Sequence, residues 1–249
     1  MSTATETTTV LNNHVTIRAF TDQNVPDEMV NAILDAARRS PTSSNMQTYS
    51  IVVVRNQETK KKLAVMAGNQ KHIETCPVFF AFCADISRLE AACAMHGEKL
   101  VRGLETTLVS SVDAALVGMS ANTAAESFGL GVVMIGGMRN HPQQAAELLG
   151  LPDGSYVVYG MCIGYAEESQ IPDQKPRLPR DLVVHYEKYS EADPTSLLEQ
   201  HDQELANHYN AQGRNLDAAA WTGPIAKRLN APRRTNLRPE LEQLGFKFE

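Results

Sequence analysis

The chain has 249 residues, of which 43% are hydrophobic, and its formal net charge at pH 7 is −6. This size and apolar content suffice for one sizeable core, so we expect a single domain over 12–249 with a C-terminal extension from about residue 190. Broad attraction to nucleic acid or to an anionic membrane needs a positive field, and the negative charge argues against both partners. A small molecule is the favoured partner.

The first residues, MSTATETTTV, contain neither a basic n-region nor an apolar h-region, and so do not resemble a secretory signal. We expect 1–11 to be a disordered tail. The longest strongly apolar stretch, 76–84, has about half of the roughly 18 residues that indicate a membrane span. These features predict a cytoplasmic protein without a membrane partner.

Four cysteines, Cys76, Cys83, Cys93 and Cys162, follow no metal-ligand spacing. Three of them lie in apolar runs, where a reduced thiol packs as a small hydrophobic side chain. We therefore expect reduced packing cysteines and no metal site, with a redox dithiol as the alternative.

The first part of the chain predicts an alternation of helices and strands. A helix begins after Pro26, with the acidic Asp27 and Glu28 in its first turn, and ends near Ser40 and Pro41. Residue periodicity then predicts a strand at 50–54, a helix at 60–66 and a strand at 78–84.

Residues 98–128 predict a long central helix, because large apolar side chains recur there with i, i+4 spacing. Its other faces carry mostly Ala, Ser, Thr and Gly rather than charge. This composition indicates burial nearly all round, and a second subunit is one candidate for the covering partner.

The remaining chain predicts short elements and a polar tail. A strand at 131–135 runs into Gly136 and Gly137, and is followed by a helix at 142–149 and a strand at 156–165. The tail predicts a helix at 196–209, a loop at 212–215, a basic segment at 227–238 and a final helix. Because such a tail packs poorly alone, we expect it to wrap the body or a partner chain. Neither a dinucleotide-binding G-x-G-x-x-G nor a P-loop motif occurs.

Two cationic segments are candidate phosphate ligands. His14, Thr16 and Arg18 alternate and share one side of an extended segment, where an arginine fork and two further donors suit a phosphate monoester. Lys175 and Arg177 flank Pro176, which stiffens the backbone and places both cations on one side. Each segment is alternatively an ordinary exposed strand or solvated loop.

Two further segments suit a flat or hydroxylated ligand. Residues 40–47, SPTSSNMQ, form a run of small hydroxyl and amide side chains, and Gly136 with Gly137 would let backbone amides approach a planar ring. A plain loop and a plain tight turn are the alternatives. Taken together, the four segments predict a site for a flat phosphorylated cofactor.

In this order along the chain, several motifs resemble the nitroreductase family, especially its oxygen-insensitive NADPH-nitroreductase and NAD(P)H-flavin reductase branch. The resemblance covers about 12–210, and only 85–98 differ in length and composition. The motifs are HVTIRAF at 14–20, TSSNMQ at 42–47, GNQKH at 68–72, AAESFGLG at 124–131, IGGMRN at 135–140, GMCIGY at 160–165 and KPRLP at 175–179.

The resemblance implies an α+β fold, a mostly antiparallel sheet wrapped by helices, and an intertwined homodimer with two FMN sites at its interface. The residues that it implies around the FMN phosphate and ribityl chain are His14, Thr16, Arg18, Lys175 and Arg177. Those implied at the flavin ring are Gln70, Met134, Ile135, Gly136 and Gly137, together with Thr42, Ser43 and Ser44 of the other subunit. Glu105 matches a carboxylate near the flavin in relatives, although an ordinary helix carboxylate is the alternative.

The implied activity is that of an FMN-dependent NAD(P)H oxidoreductase, with ping-pong hydride transfer through FMN N5 to nitroaromatic, quinone or flavin acceptors. One alternative is a flavin reductase that supplies reduced FMN to a monooxygenase, and another is a flavin-binding protein without turnover. Strictly NADPH-using relatives carry an Arg for the 2′-phosphate where this chain has Gln212. Arg214 lies two residues away and is a candidate nicotinamide-nucleotide ligand, so we expect both NADH and NADPH as donors.

Overall fold

The computed structural model, which describes residues 4–249, contains a four-stranded antiparallel sheet. The strand order is β1-β2-β4-β3, and every neighbouring pair is antiparallel. The two central strands are buried along almost their whole length, as expected of runs rich in aromatic and β-branched residues. The strands are β1 (Tyr49–Val54), β2 (Val78–Asp85), β3 (Gly131–Ile135) and β4 (Ser155–Gly164).

Helices of the first part of the chain pack on both faces of the sheet, and the described residues also include 3₁₀ helices at Ser43–Asn45, Gly136–Asn140 and Glu168–Gln170. The α-helices of this part of the chain are α1 (Glu6–Asn12), α2 (Asp27–Ala37), α3 (Gln57–Met66), α4 (Lys71–Thr75), α5 (Ser87–Ala94), α6 (Leu104–Ser127), α7 (Pro142–Leu149), α8 (Arg180–Val183), α9 (Thr195–Ala211), α10 (Thr222–Leu229) and α11 (Leu237–Gln243). The α+β class and the mostly antiparallel sheet are confirmed.

The elements differ from the sequence prediction mainly at their ends. The segment 1–11, expected to be a disordered tail, is helical from Glu6, where Thr5 and Thr8 form a capping box; residues 1–3 lie outside the described part. The central helix starts at Leu104 rather than near residue 98, because α5 ends at Ala94 and is followed by a turn, with Gly97 at φ +72°, and by a connecting segment.

Both faces of the sheet carry a hydrophobic core. On one face, Phe79 and Ala81 of β2 pack with residues of α3 and α7. On the other face, Phe80 and Phe82 pack with residues of α2 and α6. The alternation of side chains along β2 thus serves both cores, which explains its uninterrupted apolar sequence.

The central helix α6 packs on the sheet through small side chains, not through its large ones. Gly118 lies against Tyr159, whose hydroxyl donates to the carbonyl of Ala114 or Ala115 at 3.2 Å, and any side chain at Gly118 would overlap the phenol. The expected burial nearly all round is wrong for the single chain. The large apolar side chains are between 41% and 55% exposed at Leu104, Leu108, Val112, Leu116 and Met119.

Contacts divide the chain into two compact units. The first unit comprises the chain up to Pro172 together with Arg234–Glu249, and the second is Asp173–Arg233. The chain end returns to the first unit because Leu241 and Phe246 pack with Tyr156 of β4. In the second unit, Leu205 of α9 packs with Trp221. None of the helices within 4–249 is long and apolar enough to cross a membrane.

Candidate functional site

The cationic strip at 14–18 runs in an extended conformation beside β3. Thr16 forms a parallel bridge with Val132, and the backbone N–H of Ile17 donates to the Val132 carbonyl at 2.9 Å. Ile17 is buried, whereas Arg18 is exposed and His14 and Thr16 are half-buried. The strip therefore acts as a short additional strand that presents polar side chains beyond the edge of β3.

His14 is held by a carboxylate from the last turns of α6. Its Nδ1 lies 2.5 Å from Oε1 of Glu126, and the other oxygen of Glu126 accepts a hydrogen bond from Nδ2 of Asn122 at 2.8 Å. The imidazole is therefore oriented by a partly buried ion-pair partner, a role for Glu126 that the sequence analysis missed although AAESFGLG contains it.

Arg18 lies close to His72 of α4. Burial and, after it, the positive charge of Arg18 lower the pKa of His72 below its ordinary value. The Nε2 atom of His72 is buried and has no hydrogen-bond partner among residues 4–249. The half-buried, neutral imidazole of His72, with one unsatisfied nitrogen, thus lies next to the exposed guanidinium of Arg18. The sequence signal that could have indicated His72 is its place in the motif GNQKH.

Gln70 lies beside the glycine pair. Its Nε2 donates to the carbonyl of Ala67 at 2.7 Å, and a Cβ atom on Gly137 would be 2.7 Å from that Nε2 and 2.6 Å from the Ala67 oxygen. Gly137 therefore needs the absence of a side chain for packing reasons, and its contact with a cofactor stays a prediction. The structure thus brings together Gln70 and Gly137, which are widely separated in sequence.

The turn at Gly136–Asn140 directly continues β3. Met134 is 38% exposed, whereas Ile135 is buried, so only Met134 presents an apolar surface beside the turn. The turn is held by the chain end: Arg234 donates to Oδ1 of Asn140 at 2.9 Å and to the Gly136 carbonyl at 3.2 Å. Asn236 adds a bond to the Asn140 carbonyl at 2.8 Å. The sequence analysis gave no role to the basic segment that contains Arg234.

The run of hydroxyl and amide side chains at 40–47, called the hydroxyl loop below, lies at the opposite edge of the sheet. Thr42, Ser43 and Ser44 precede β1, which forms one edge of the sheet, whereas the strip and the glycine turn lie at β3, the other edge. Three inter-strand spacings, about 14 Å, separate β1 from β3. A single chain therefore does not bring this loop to the other predicted site residues.

Glu105 is exposed in the first turn of α6. The neighbouring Leu104 N–H faces the carbonyl of Glu249 at 3.4 Å, so this helix end lies at the chain terminus. The assignment of Glu105 remains a prediction.

Two predicted residues of the second unit, Lys175 and Arg177, line a cavity of about 550 Å³, whereas Arg214 is not among its lining residues. Lys175 and Arg177 form one wall, and His201, Tyr209 and Trp221 contribute to the others. The ammonium of Lys175 lies 5.8 Å from the centroid of the Tyr209 ring, and the guanidinium of Arg214 lies 4.4 Å from it. Two of the predicted cations thus share one aromatic ring.

Comparison with known proteins identifies the family. The family model "Nitroreductase family" matches residues 11–165, and the model "Nitroreductase family, C-terminal domain" matches 175–249. An FMN reductase [NAD(P)H] of Bacillus subtilis is 36% identical over 96% of this chain and 97% of its own. An oxygen-insensitive NADPH nitroreductase of Salmonella typhimurium is 37% identical over 95% of this chain and 96% of its own.

Solved structures agree with this assignment. The NfrA2 protein of B. megaterium superimposes with a TM-score of 0.94 at 36% identity, over 99% of this chain and 100% of its own. The NADPH:FMN oxidoreductase of Vibrio harveyi, solved in complex with NAD+, gives a TM-score of 0.87 at 34% identity, over 97% and 99% of the two chains. This chain therefore belongs to the nitroreductase family.

Proposed function

We propose that the protein is an FMN-dependent NAD(P)H oxidoreductase that reduces nitroaromatic, quinone or flavin acceptors. Relatives aligned over nearly the whole chain are named as NAD(P)H or NADPH enzymes that act on flavin or nitro compounds. The observation that carries the proposal is the cluster of Arg18, His72, Gln70 and Gly137 beyond the end and edge of β3. Its donors and its closely packed glycine turn suit a planar ring with a phosphate tail.

The residues of this cluster fit FMN chemically. A buried polar atom without a hydrogen bond costs about 1 to 3 kcal/mol, so the orphaned Nε2 of His72 favours a ligand that satisfies it. Arg18 offers a charge-assisted fork for a phosphate monoester, and Gln70 offers an amide to a polar ring edge. For Lys175 and Arg177, a role in binding the cofactor stays a prediction from the family resemblance.

When bound, FMN supplies the hydride chemistry that connects a nicotinamide donor to the electron acceptor. The chain contributes binding and orientation. Thr16 and Arg18 would hold the phosphate, Glu126 fixes the orientation of His14, and Gly137 lets the turn pack directly on Ala67 and Gln70. Exposed Met134 would give the ring an apolar contact. In this scheme no protein nucleophile or general base is needed.

We further propose a homodimer in which each site uses both chains. The exposed apolar side chains of α6, from Leu104 to Met119, recur on one face and are typical of an obligate interface. A second chain covering this face would also supply the hydroxyl loop that one chain keeps at the opposite sheet edge. We also expect the enzyme to act in the cytoplasm, where NAD(P)H is regenerated.

The flavin reductase alternative is favoured by the names of two relatives, an FMN reductase and an NADPH-flavin oxidoreductase. The two activities differ in where the electrons go. If free flavin is the true acceptor, diffusible reduced flavin is formed faster than nitro groups are reduced under matched anaerobic conditions. The reverse order supports nitroaromatics or quinones.

The decisive experiment starts from the purified protein and its bound chromophore. Mass spectrometry of the released chromophore is expected to identify FMN, and anaerobic mixing with NADH or NADPH is expected to bleach the visible flavin band within seconds. A panel of nitroaromatic, quinone and flavin acceptors then ranks the substrates. FMN without bleaching by either nucleotide would instead indicate a flavin-binding protein without turnover.

A further inference from the structure

A buried carboxylate on α6 pins the hydroxyl loop in place. Asp113 is 1% exposed, and its Oδ1 accepts a hydrogen bond from the backbone N–H of Ser43 at 3.0 Å. Its Oδ2 accepts bonds from the backbone N–H of Thr48 at 3.1 Å and from the Thr48 hydroxyl at 2.7 Å. Both ends of the predicted ligand segment 42–47 are thus fixed by one side chain.

The loop has a shape that needs such fixing. Ser44, Asn45 and Gln47 have φ values of 47°, 56° and 52°, in the left-handed region that residues other than glycine rarely adopt. These conformations persist only where the surroundings enforce them. A second bond, from the Ser40 hydroxyl to that of Ser120 at 2.7 Å, ties the start of the loop to the same helix.

The same helix carries the proposed dimer face. The exposed large apolar side chains of α6 between Leu104 and Met119 form an apolar stripe, in which Val112 is 55% exposed. Asp113, the next residue, points inward to the loop. One turn of α6 therefore joins the proposed interface to the loop. A partner chain docked on the stripe would therefore contact a hydroxyl loop that Asp113 of the first chain holds in position.

We propose that Asp113 is a positioning residue for the cofactor site of the partner chain, holding Thr42, Ser43 and Ser44 in the conformation that contacts the partner's FMN. This inference rests on the proposed function and on the shared site. Asp113 does not itself reach the cofactor. Its effect passes through the loop, so each site depends on a carboxylate buried in the other chain.

The chemistry of the three bonds requires a carboxylate. Both oxygens of Asp113 act only as acceptors, and all three partners are donors. In Asp113→Asn one acceptor becomes an NH₂ group that faces an N–H, so at least one backbone donor loses its bond. We expect FMN affinity to fall about 10- to 100-fold, with the dimer retained.

A matched control separates positioning from general destabilisation. Thr107 lies earlier on the same buried face of α6, and its hydroxyl donates to the Lys247 carbonyl at 3.1 Å, an anchor that does not involve the loop. Thr107→Val is expected to lower thermal stability while leaving FMN affinity unchanged. Thr48→Val, which removes only the hydroxyl donor, gives a milder loop variant in case Asp113→Asn does not fold.

The discriminating experiment uses mixed dimers. Two differently tagged chains, one with Asp113→Asn and one with Arg18→Ala, are co-expressed and the doubly tagged dimer is purified. The inference predicts one site with both defects and one site with neither, so the mixed dimer should bind one FMN per dimer with wild-type affinity. Each mutant homodimer should bind FMN weakly at both sites.

Two results would overturn the inference. Wild-type FMN affinity in Asp113→Asn and Thr48→Val would show that the loop needs no such anchor. Weak binding at both sites of the mixed dimer would show that loop and strip serve the same chain's site. A wild-type protein that holds no FMN at all would instead refute the proposed function, so the two failures are distinguishable.

Discussion

His14 Nδ1 and Glu126 Oε1 lie 2.5 Å apart, with 28% and 11% of the two side chains exposed. Because Glu126 carries a negative charge, it offsets the positive charge of His14 whenever the imidazole is protonated. Arg18, on the same strip, is exposed and has no ion-pair partner within residues 4–249. The net positive charge of the strip is therefore carried by Arg18.

The first prediction ranks the two residues. Arg18→Ala is expected to weaken FMN binding about 10- to 100-fold, because a charge-assisted contact contributes about 1.5 to 3 kcal/mol. His14→Ala is expected to have a smaller effect. Fluorescence titration of apoprotein with FMN measures both. Arg38→Ala, an exposed arginine paired with Asp35 on α2, serves as the control. A larger loss in His14→Ala would contradict the charge argument.

The second prediction concerns the titration of His72. Burial and the charge of Arg18 lower its pKa in the folded protein. At a pH between the folded and the unfolded pKa, the folded protein therefore keeps this imidazole neutral, whereas the unfolded chain takes up a proton. The stability that His72 contributes is therefore present above pH 6.5 and is lost as the pH falls toward the folded pKa. Arg18→Ala removes one of the two causes and is expected to raise the pKa.

Bound FMN is expected to raise this pKa too, because a phosphate dianion favours the protonated imidazole. NMR titration of the His72 ring in apoprotein, in FMN-loaded protein and in Arg18→Ala measures all three values. The same pKa in all three samples would mean that neither Arg18 nor the phosphate lies close to His72 in solution.

The third prediction compares neighbouring glycines. A Cβ on Gly137 would lie 2.6 Å from the Ala67 carbonyl oxygen, which is backbone and yields little, whereas a Cβ on Gly136 would first meet the Arg139 guanidinium at 3.4 Å. Gly137→Ala is expected to displace Gln70 and to weaken FMN more than tenfold, whereas Gly136→Ala, with a flexible neighbour, has the smaller effect. Equal FMN affinities in the two variants would show that the packing of Gly137 on Gln70 does not influence the cofactor site.

Local sequence signals located the elements that local forces determine. The strand at 131–135 and the helix at 142–149 have the predicted ends, because β-branched residues stop at Gly136 and Gly150 takes a left-handed conformation after the helix. The strand at 78–84 extends by only one residue, to Asp85. Each of these signals lies within a few residues of the element that it specifies.

The remaining features depend on contacts between distant segments. His72 gains its significance from Arg18, Asp113 from Ser43 and Thr48, and Arg234 from Asn140, and no periodicity reveals such pairs. The predicted burial of the large side chains of α6 was wrong for the single chain for the same reason. A stripe of large apolar residues predicts burial, but in this chain the small residues face the sheet because Gly118 admits Tyr159.

The fourth prediction tests the dimer face. Val112→Asp places a charge at the middle of the exposed stripe of α6, where an apolar interface would have to bury it without a partner. The variant is expected to sediment near 27.3 kDa, whereas the wild type should sediment near twice that mass. It should also lose FMN. Val65→Asp, at a position that is 64% exposed on α3, is the control. A Val112→Asp dimer that keeps its flavin would place the interface elsewhere.

We expect the donor preference to depend on the loop after α9. Gln212 stands where strictly NADPH-using relatives carry an arginine. Its side-chain amide already donates a hydrogen bond to Asp173 at 3.1 Å. Arg214 is the neighbouring cation, and its stacking on Tyr209 at 4.4 Å fixes an otherwise exposed guanidinium. Asp217, also exposed, adds a negative charge that opposes a 2′-phosphate.

The fifth prediction follows from this balance of charges. One lost phosphate contact corresponds to about 10- to 100-fold in affinity, so NADH and NADPH are expected to give kcat/KM values within about tenfold of each other. Arg214→Ala should lower kcat/KM for NADPH and leave that for NADH nearly unchanged, because only NADPH carries the 2′-phosphate. Tyr209→Leu, which removes the stacking surface but keeps the cation, should have an intermediate effect on NADPH. Steady-state kinetics with a single acceptor compare both variants with wild type. A thousandfold NADPH preference that survives Arg214→Ala would show that a different cation reads the phosphate. The basic segment 227–238 would then be the place to search, except for Arg234, whose guanidinium already holds Asn140 and the Gly136 carbonyl.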